Sequence, residues 1–115
     1  IGMIQGYPFR GKADVLDSYR VVDLKTTSDL KAFPYASRKY GYDVQVYIYS
    51  ELFNKPYEEF KFIAIDKGSL DIGIYDVSEE FYNSGKEKVT RALETFETFF
   101  INGADLDSYC IKGTL

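Results

Sequence analysis

Histidine is absent from the 115-residue chain, and cysteine occurs once, as Cys110. Without histidine, no Ser-His-Asp or Cys-His nucleophile can operate within these residues, and no imidazole can bind a metal. One cysteine forms no internal disulfide and no thiolate zinc cluster. Any metal must therefore be held by oxygen ligands, which favours magnesium, manganese or calcium. Tryptophan is also missing, and proline appears three times. No apolar run approaches the roughly 20 residues of a membrane span, and no signal peptide opens the sequence. A cytoplasmic protein without membrane contact is the expectation.

What the chain has is aromatic and acidic. Eleven Tyr and nine Phe accompany 45% hydrophobic residues, a composition far from that of disordered chains. The length is that of one domain able to bury its own core. Charge is uneven: residues 1–57 carry eight basic against six acidic side chains, and residues 58–115 carry six against twelve. A net charge of −4 argues against binding nucleic acid by a simple basic footprint. It leaves open an enzyme that meets phosphate through a bound divalent cation.

There is no repeat and no linker, so residues 1–115 read as one domain. Residues 1–9 and 11–17 look like short strands punctuated by glycine, and residues 19–25 form a third strand rich in β-branched side chains. Asp17 and Ser18 supply turn chemistry between the second and third strands. Ser28 and Asp29 can cap a short helical stretch interrupted by Pro34. A firmer helix spans about 42–53 and ends at Asn54-Lys55-Pro56. Residues 60–65 and 70–75 read as a hairpin around Lys67-Gly68-Ser69. The last helix starts at Ser78 and runs to about Phe100, stopping at Asn102-Gly103. The expected order is β-β-β-α-β-β-α, an α+β arrangement with a mixed sheet flanked by helices.

Asp23 and Lys25, two apart on the third strand, share a face, and Val22 and Leu24 are expected to point the other way, into the core. If the preceding turn centres on Ser18 and Tyr19, Asp14 falls directly opposite Asp23. Cross-strand partners hold their Cβ atoms roughly 4.5–5.5 Å apart. Two carboxylates at that distance repel unless a cation sits between them. Two acids and an adjoining lysine fit metal-assisted phosphodiester hydrolysis. A bare Asp-x-Lys also fits an ordinary surface ion pair. On the following helix, Tyr42, Gln45 and Tyr49 share one face. That stripe fits a nucleotide-facing surface, or tyrosines that pack as amphipathic filler. Arg10, Lys12, Arg38 and Lys39 could form a phosphate-tracking rim or simply a solvated surface. Phe81, Leu93, Phe96 and Phe100, with Val89 and Ala92, read as the core face of the last helix, and Glu79, Glu80, Glu87, Glu94 and Glu97 as its solvated side.

In series, Gly11-Lys-Ala-Asp14, Val21-Val-Asp-Leu-Lys-Thr-Thr27 and Tyr40-Gly-Tyr-Asp-Val-Gln-Val-Tyr-Ile-Tyr49 resemble the PD-(D/E)XK nuclease superfamily. Within its RecB-like branch, they are similar to the phage and prophage exonucleases of the exodeoxyribonuclease VIII type, over about residues 6–102. The resemblance implies a restriction-endonuclease-like core, with Asp14, Asp23 and the Leu24 carbonyl as ligands of Mg2+ or its substitute Mn2+. It makes Lys25 the catalytic lysine, and has Gln45 and Tyr49 organise the site and contact the DNA backbone. The residues themselves, apart from the resemblance, offer Tyr42, Arg10, Lys12, Arg38 and Lys39 as candidate nucleic-acid contacts. It also implies exonucleolytic digestion of linear DNA in phage-type recombination, a homo-oligomeric ring and a single-strand annealing protein as partner. The family core opens with a helix before its first strand, and that helix is expected to be missing from residues 1–115. A catalytically inactive remnant that binds DNA or a partner, and a structure-selective endonuclease on the same fold, are the alternatives.

Overall fold

In the computed structural model, residues 2–16, 20–101 and 114 are described. The turn expected at Asp17 and Ser18, the helix stop at Asn102-Gly103, and Cys110 lie outside them. Two strands, β1 (Gly2–Ile4) and β2 (Tyr7–Phe9), form a hairpin of their own, Ile4 pairing with Tyr7. Its two-residue turn places Gln5 and Gly6 at φ of 50° and 83°, the left-handed pair that matches the twist of the flanking strands. The segment expected as one strand is thus a separate two-stranded sheet. The hairpin clips onto the helices: Gln5 donates to the Tyr47 hydroxyl at 3.0 Å and to Thr90 Oγ1 at 2.9 Å.

The main sheet is mixed and runs β3 (Val15–Leu16), β4 (Val21–Thr27), β5 (Phe60–Asp66), β6 (Ile72–Asp76). β4 and β5 are parallel, and the flanking pairs are antiparallel. A parallel pair needs a long crossover. Here it is made by α1 (Phe33–Lys39) and α2 (Tyr42–Leu52), with Leu30–Ala32 and Tyr57–Glu59 as single 3-10 turns at its two ends. Asp29 caps the first of these turns by accepting the Lys31 N–H at 3.0 Å. Pro34 does not interrupt the helix but stands in its first turn, where its missing N–H has no intrahelical partner to lose. Ser78 caps α3 (Glu79–Phe96), its hydroxyl accepting the Phe81 N–H at 3.1 Å.

The register decides which face of the sheet becomes the core. Val21 pairs with Phe60, Asp23 with Phe62 and Lys25 with Ala64. Val21, Phe60, Phe62 and Ala64 are buried beneath Phe33 and Val46 of the helices. Asp23 and Lys25 therefore lie on the helix-covered face. This corrects the expectation that Val22 and Leu24 point into the core. Val22 is buried, but Leu24 is 50% exposed and shares the opposite face with Ile63, Ile72 and Ile74. In Val21-Val-Asp-Leu-Lys25 both faces carry aliphatic residues, so period-2 alternation alone cannot say which face the helices cover.

α3 lies along α2, and Gly85 makes their close approach possible. A β-carbon at Gly85 would stand 2.0 Å from the Asp43 carbonyl oxygen. The 18 residues of α3 outrun the 11 of α2. Consequently Phe96 and Phe100, expected in the core, stack on each other in exposed positions, while Val89 is buried and Phe81 packs on the main core. Ala92 is exposed, and the acidic side chains at 79, 80, 87, 94 and 97 are exposed as expected. No helix among the described residues is long and apolar enough to cross a membrane.

Candidate active site

Each acid of the site is set by strand geometry. Val15 pairs with Val22 and Leu16 with Val21, so the next position outward places Asp14 opposite Asp23. The two carboxyl groups stand near enough for each to shift the other's titration. Asp14 is held by its backbone neighbour as well: the Leu24 N–H donates to its Oδ2 at 2.8 Å. In an extended strand the N–H and C=O of one residue face the same edge. The Leu24 carbonyl thus faces the edge where Asp14 stands.

Asp23 is 4% exposed, an unusual place for a carboxylate. Its Oδ2 lies 2.8 Å from the Lys25 ammonium, yet accepts no hydrogen bond of good geometry. The same ammonium sits 4.3 Å from the centre of the Tyr42 ring, which fixes it from the helix side. Burial pushes the Asp23 carboxyl above its ordinary range; the Lys25 ammonium opposes that, and the nearby Asp14 adds to it. Asp14 moves the other way: the Leu24 N–H, then the hydrogen bond from Asp23, hold it low. The two carboxyl groups are thus driven apart in their hold on a proton, at a place where a cation could stand.

The donor set fits a small, hard divalent cation. It offers a buried carboxylate oxygen lacking a hydrogen bond, an exposed carboxylate opposite, and a backbone carbonyl at the same edge. Among the described residues no group of three or more Asp, Glu or Cys side chains gathers at one place. Two carboxylates are the complement typical of magnesium, which keeps several waters and takes its remaining ligands from substrate phosphate.

The helix residues are arranged along one side of the site. Tyr42 stacks on Phe62, and Tyr49 packs at 6.4 Å from Phe60 and edge-on to Phe53. Hence α2 crosses the sheet antiparallel to β5, with Gln45 between its two tyrosines on the same face. Tyr49 also supports the approach to Asp14: a β-carbon on Gly11 would meet its ring at 2.6 Å. Lys12 is exposed and near enough to Asp14 to favour its charged form. Arg10 is exposed on the same segment. Lys39 lies over the Tyr40 ring, whereas Arg38 faces away, 6.0 Å from the centre of the Phe81 ring, at the edge of a separate groove with Ser37 and Asp76. The sequence offered little to single out Tyr40 and Lys67, which border a pocket beside Tyr42. The signal available was the pair of tyrosines flanking Gly41.

A family model described as a PDDEXK-like domain of unknown function (DUF3799) matches residues 1–110. No curated protein matches the chain.

Proposed function

Because the chain belongs to the DUF3799 family of PDDEXK-like domains and so has a nuclease-type fold, we propose that it is a metal-dependent exonuclease. Its substrate in this proposal is linear DNA, hydrolysed at the phosphodiester bond in phage-type recombination. The observation that carries the proposal is the cross-strand Asp14–Asp23 pair with the Lys25 ammonium 2.8 Å from Asp23.

Asp14, Asp23 and the Leu24 carbonyl would hold magnesium, or manganese in its place. When bound, the cation lowers the pKa of water and offsets charge gathered on the phosphoryl oxygens. Lys25 adds a fixed positive charge and N–H donors beside the scissile phosphate, where they hold the attacking water and stabilise the developing negative charge. Tyr42 keeps that ammonium in place. Gln45 supplies amide donors on the face turned to the sheet, and Tyr49 props the segment that carries Asp14. Lys12 contributes charge for the DNA backbone without reading sequence.

Incubation with linear and covalently closed duplex DNA in magnesium tests the proposal. Soluble nucleotide should be released from the linear form alone, and Asp23→Asn should abolish release. Cutting of the closed circle would instead identify an endonuclease. Absence of hydrolysis in both forms, or full activity in Asp23→Asn, would contradict the assignment.

A further inference from the structure

A pocket of about 190 Å³ adjoins the acidic site, bordered by Thr27, Ser28, Phe33, Tyr40, Tyr42 and Lys67. Tyr42 is the shared wall, because its ring also contacts the Lys25 ammonium. We infer that this pocket is a stacking subsite for a nucleobase of the strand held at the acidic site, and that the strand end it accepts is single-stranded. The inference rests on the nuclease reading and names the form of DNA the site takes.

The first support is the posture of Tyr40. It follows the last residue of α1, and Gly41, at φ of 73°, turns the chain before α2 begins. That break leaves the Tyr40 ring 65% exposed, tilted 36° to Tyr42 with 6.2 Å between ring centres. Two aromatic planes thus stand at the mouth of a pocket, one fixed and one open. An open aromatic face of this kind is available for stacking.

The second support is charge. Lys39 lies 5.7 Å from the centre of the Tyr40 ring, Lys67 borders the pocket, and Lys25 stands behind Tyr42. Three ammonium groups around two tyrosines supply what a single strand requires, cations for phosphates and flat faces for bases. This cluster belongs to a chain whose net charge is −4. The Lys67 N–H donates to the Thr27 carbonyl at 2.9 Å, which ties this lysine's loop to the end of the strand bearing Asp23.

Energetics select the single strand. A base entering the pocket from a duplex must first leave its stack and its pairing partner, a cost that opposes binding. Stacking on an aromatic side chain returns roughly 1–3 kcal/mol per base and ignores base identity. A frayed or single-stranded end has already met that cost. The subsite should therefore favour unpaired ends without sequence preference.

The test measures binding of a short single-stranded oligonucleotide carrying 2-aminopurine at its end, with calcium as the divalent ion. Binding should quench the fluorescence, and Tyr40→Ala should weaken affinity roughly 5- to 150-fold. Tyr40→Phe should bind like wild type, because the ring and not the hydroxyl is required. A blunt duplex of the same sequence should bind more weakly. No binding of the single strand, equal binding by Tyr40→Ala, or equal binding of the blunt duplex would each overturn the inference. Quenching that depends on Tyr40 in a protein that hydrolyses no DNA would support the subsite while removing the nuclease reading. Hydrolysis with binding indifferent to Tyr40 would do the reverse.

Discussion

At the scale of single residues, Asp23 pays in stability for its place in the site. Its folded-state pKa is raised by burial, so the folded chain holds that proton more tightly than the unfolded chain does. The sign follows: the favourable, protonated form prevails at low pH, and stability is lost as pH rises through the raised value. At neutral pH, Asp23→Asn should therefore melt at the wild-type temperature or above it, as read by circular dichroism. A fall of several degrees would show that the ionised carboxylate stabilises the fold. Lys25→Met should slow cleavage roughly 100- to 10,000-fold while leaving metal affinity intact, the pattern of a group that acts in the transition state. Loss of metal binding with an unchanged rate would contradict that role. The pairing of Asp14 with Asp23 was legible in the sequence because both stand equally far from Ser18-Tyr19. The face they occupy was not, because Val21 and Val22 alternate without preference.

At the scale of elements, the contact between α2 and α3 turns on two residues. Gly85→Ala forces a methyl group against the Asp43 backbone, which cannot retreat as a flexible side chain would. The expected loss is about 1–3 kcal/mol in denaturant unfolding, against little change for Ala at the exposed Asn83. Asp43 itself is buried. Burial alone would raise its carboxyl, but the Lys88 ammonium at 2.7 Å, the Ser84 hydroxyl at 2.7 Å and the Val44 N–H at 3.0 Å together hold it low. A lowered folded value adds stability that is fully present above the unfolded carboxyl pKa of about 3.9 and lost as pH falls through the folded value. Asp43→Asn should flatten that acid limb of the stability–pH curve, and an unchanged limb would assign it to other carboxyl groups. The main helices and the β5–β6 pair were legible through caps, Pro56 and the turn at Lys67-Gly68-Ser69. The first hairpin was not, because Gln5 gives a weak signal for a left-handed turn position that Asn or Asp more often fills.

At the scale of the whole molecule, the helices cover one face of the sheet. On the other, Ile74 is 68% exposed beside Ile63 and Leu24, and Lys61 pairs with Asp76 across β5 and β6. A charge should be tolerated there: Ile74→Lys should change stability by about 0.5 kcal/mol or less. On the core face, Phe62→Ala should cost about 3–5 kcal/mol. A comparable loss in both variants would show that the Ile74 face is covered in solution. The α+β class and mixed sheet were legible because strand and helix periodicities alternate along the chain. Which layer covers which face depends on long-range register, which local pattern does not encode.

The proposed seat for a divalent cation between Asp14 and Asp23 is tested most directly by calorimetric titration with manganese. Wild type should bind, and Asp14→Asn and Asp23→Asn should each bind roughly tenfold or more weakly, at least the loss that follows removal of even an outer partner. Equal affinity in all three proteins, or no binding by wild type, would contradict it.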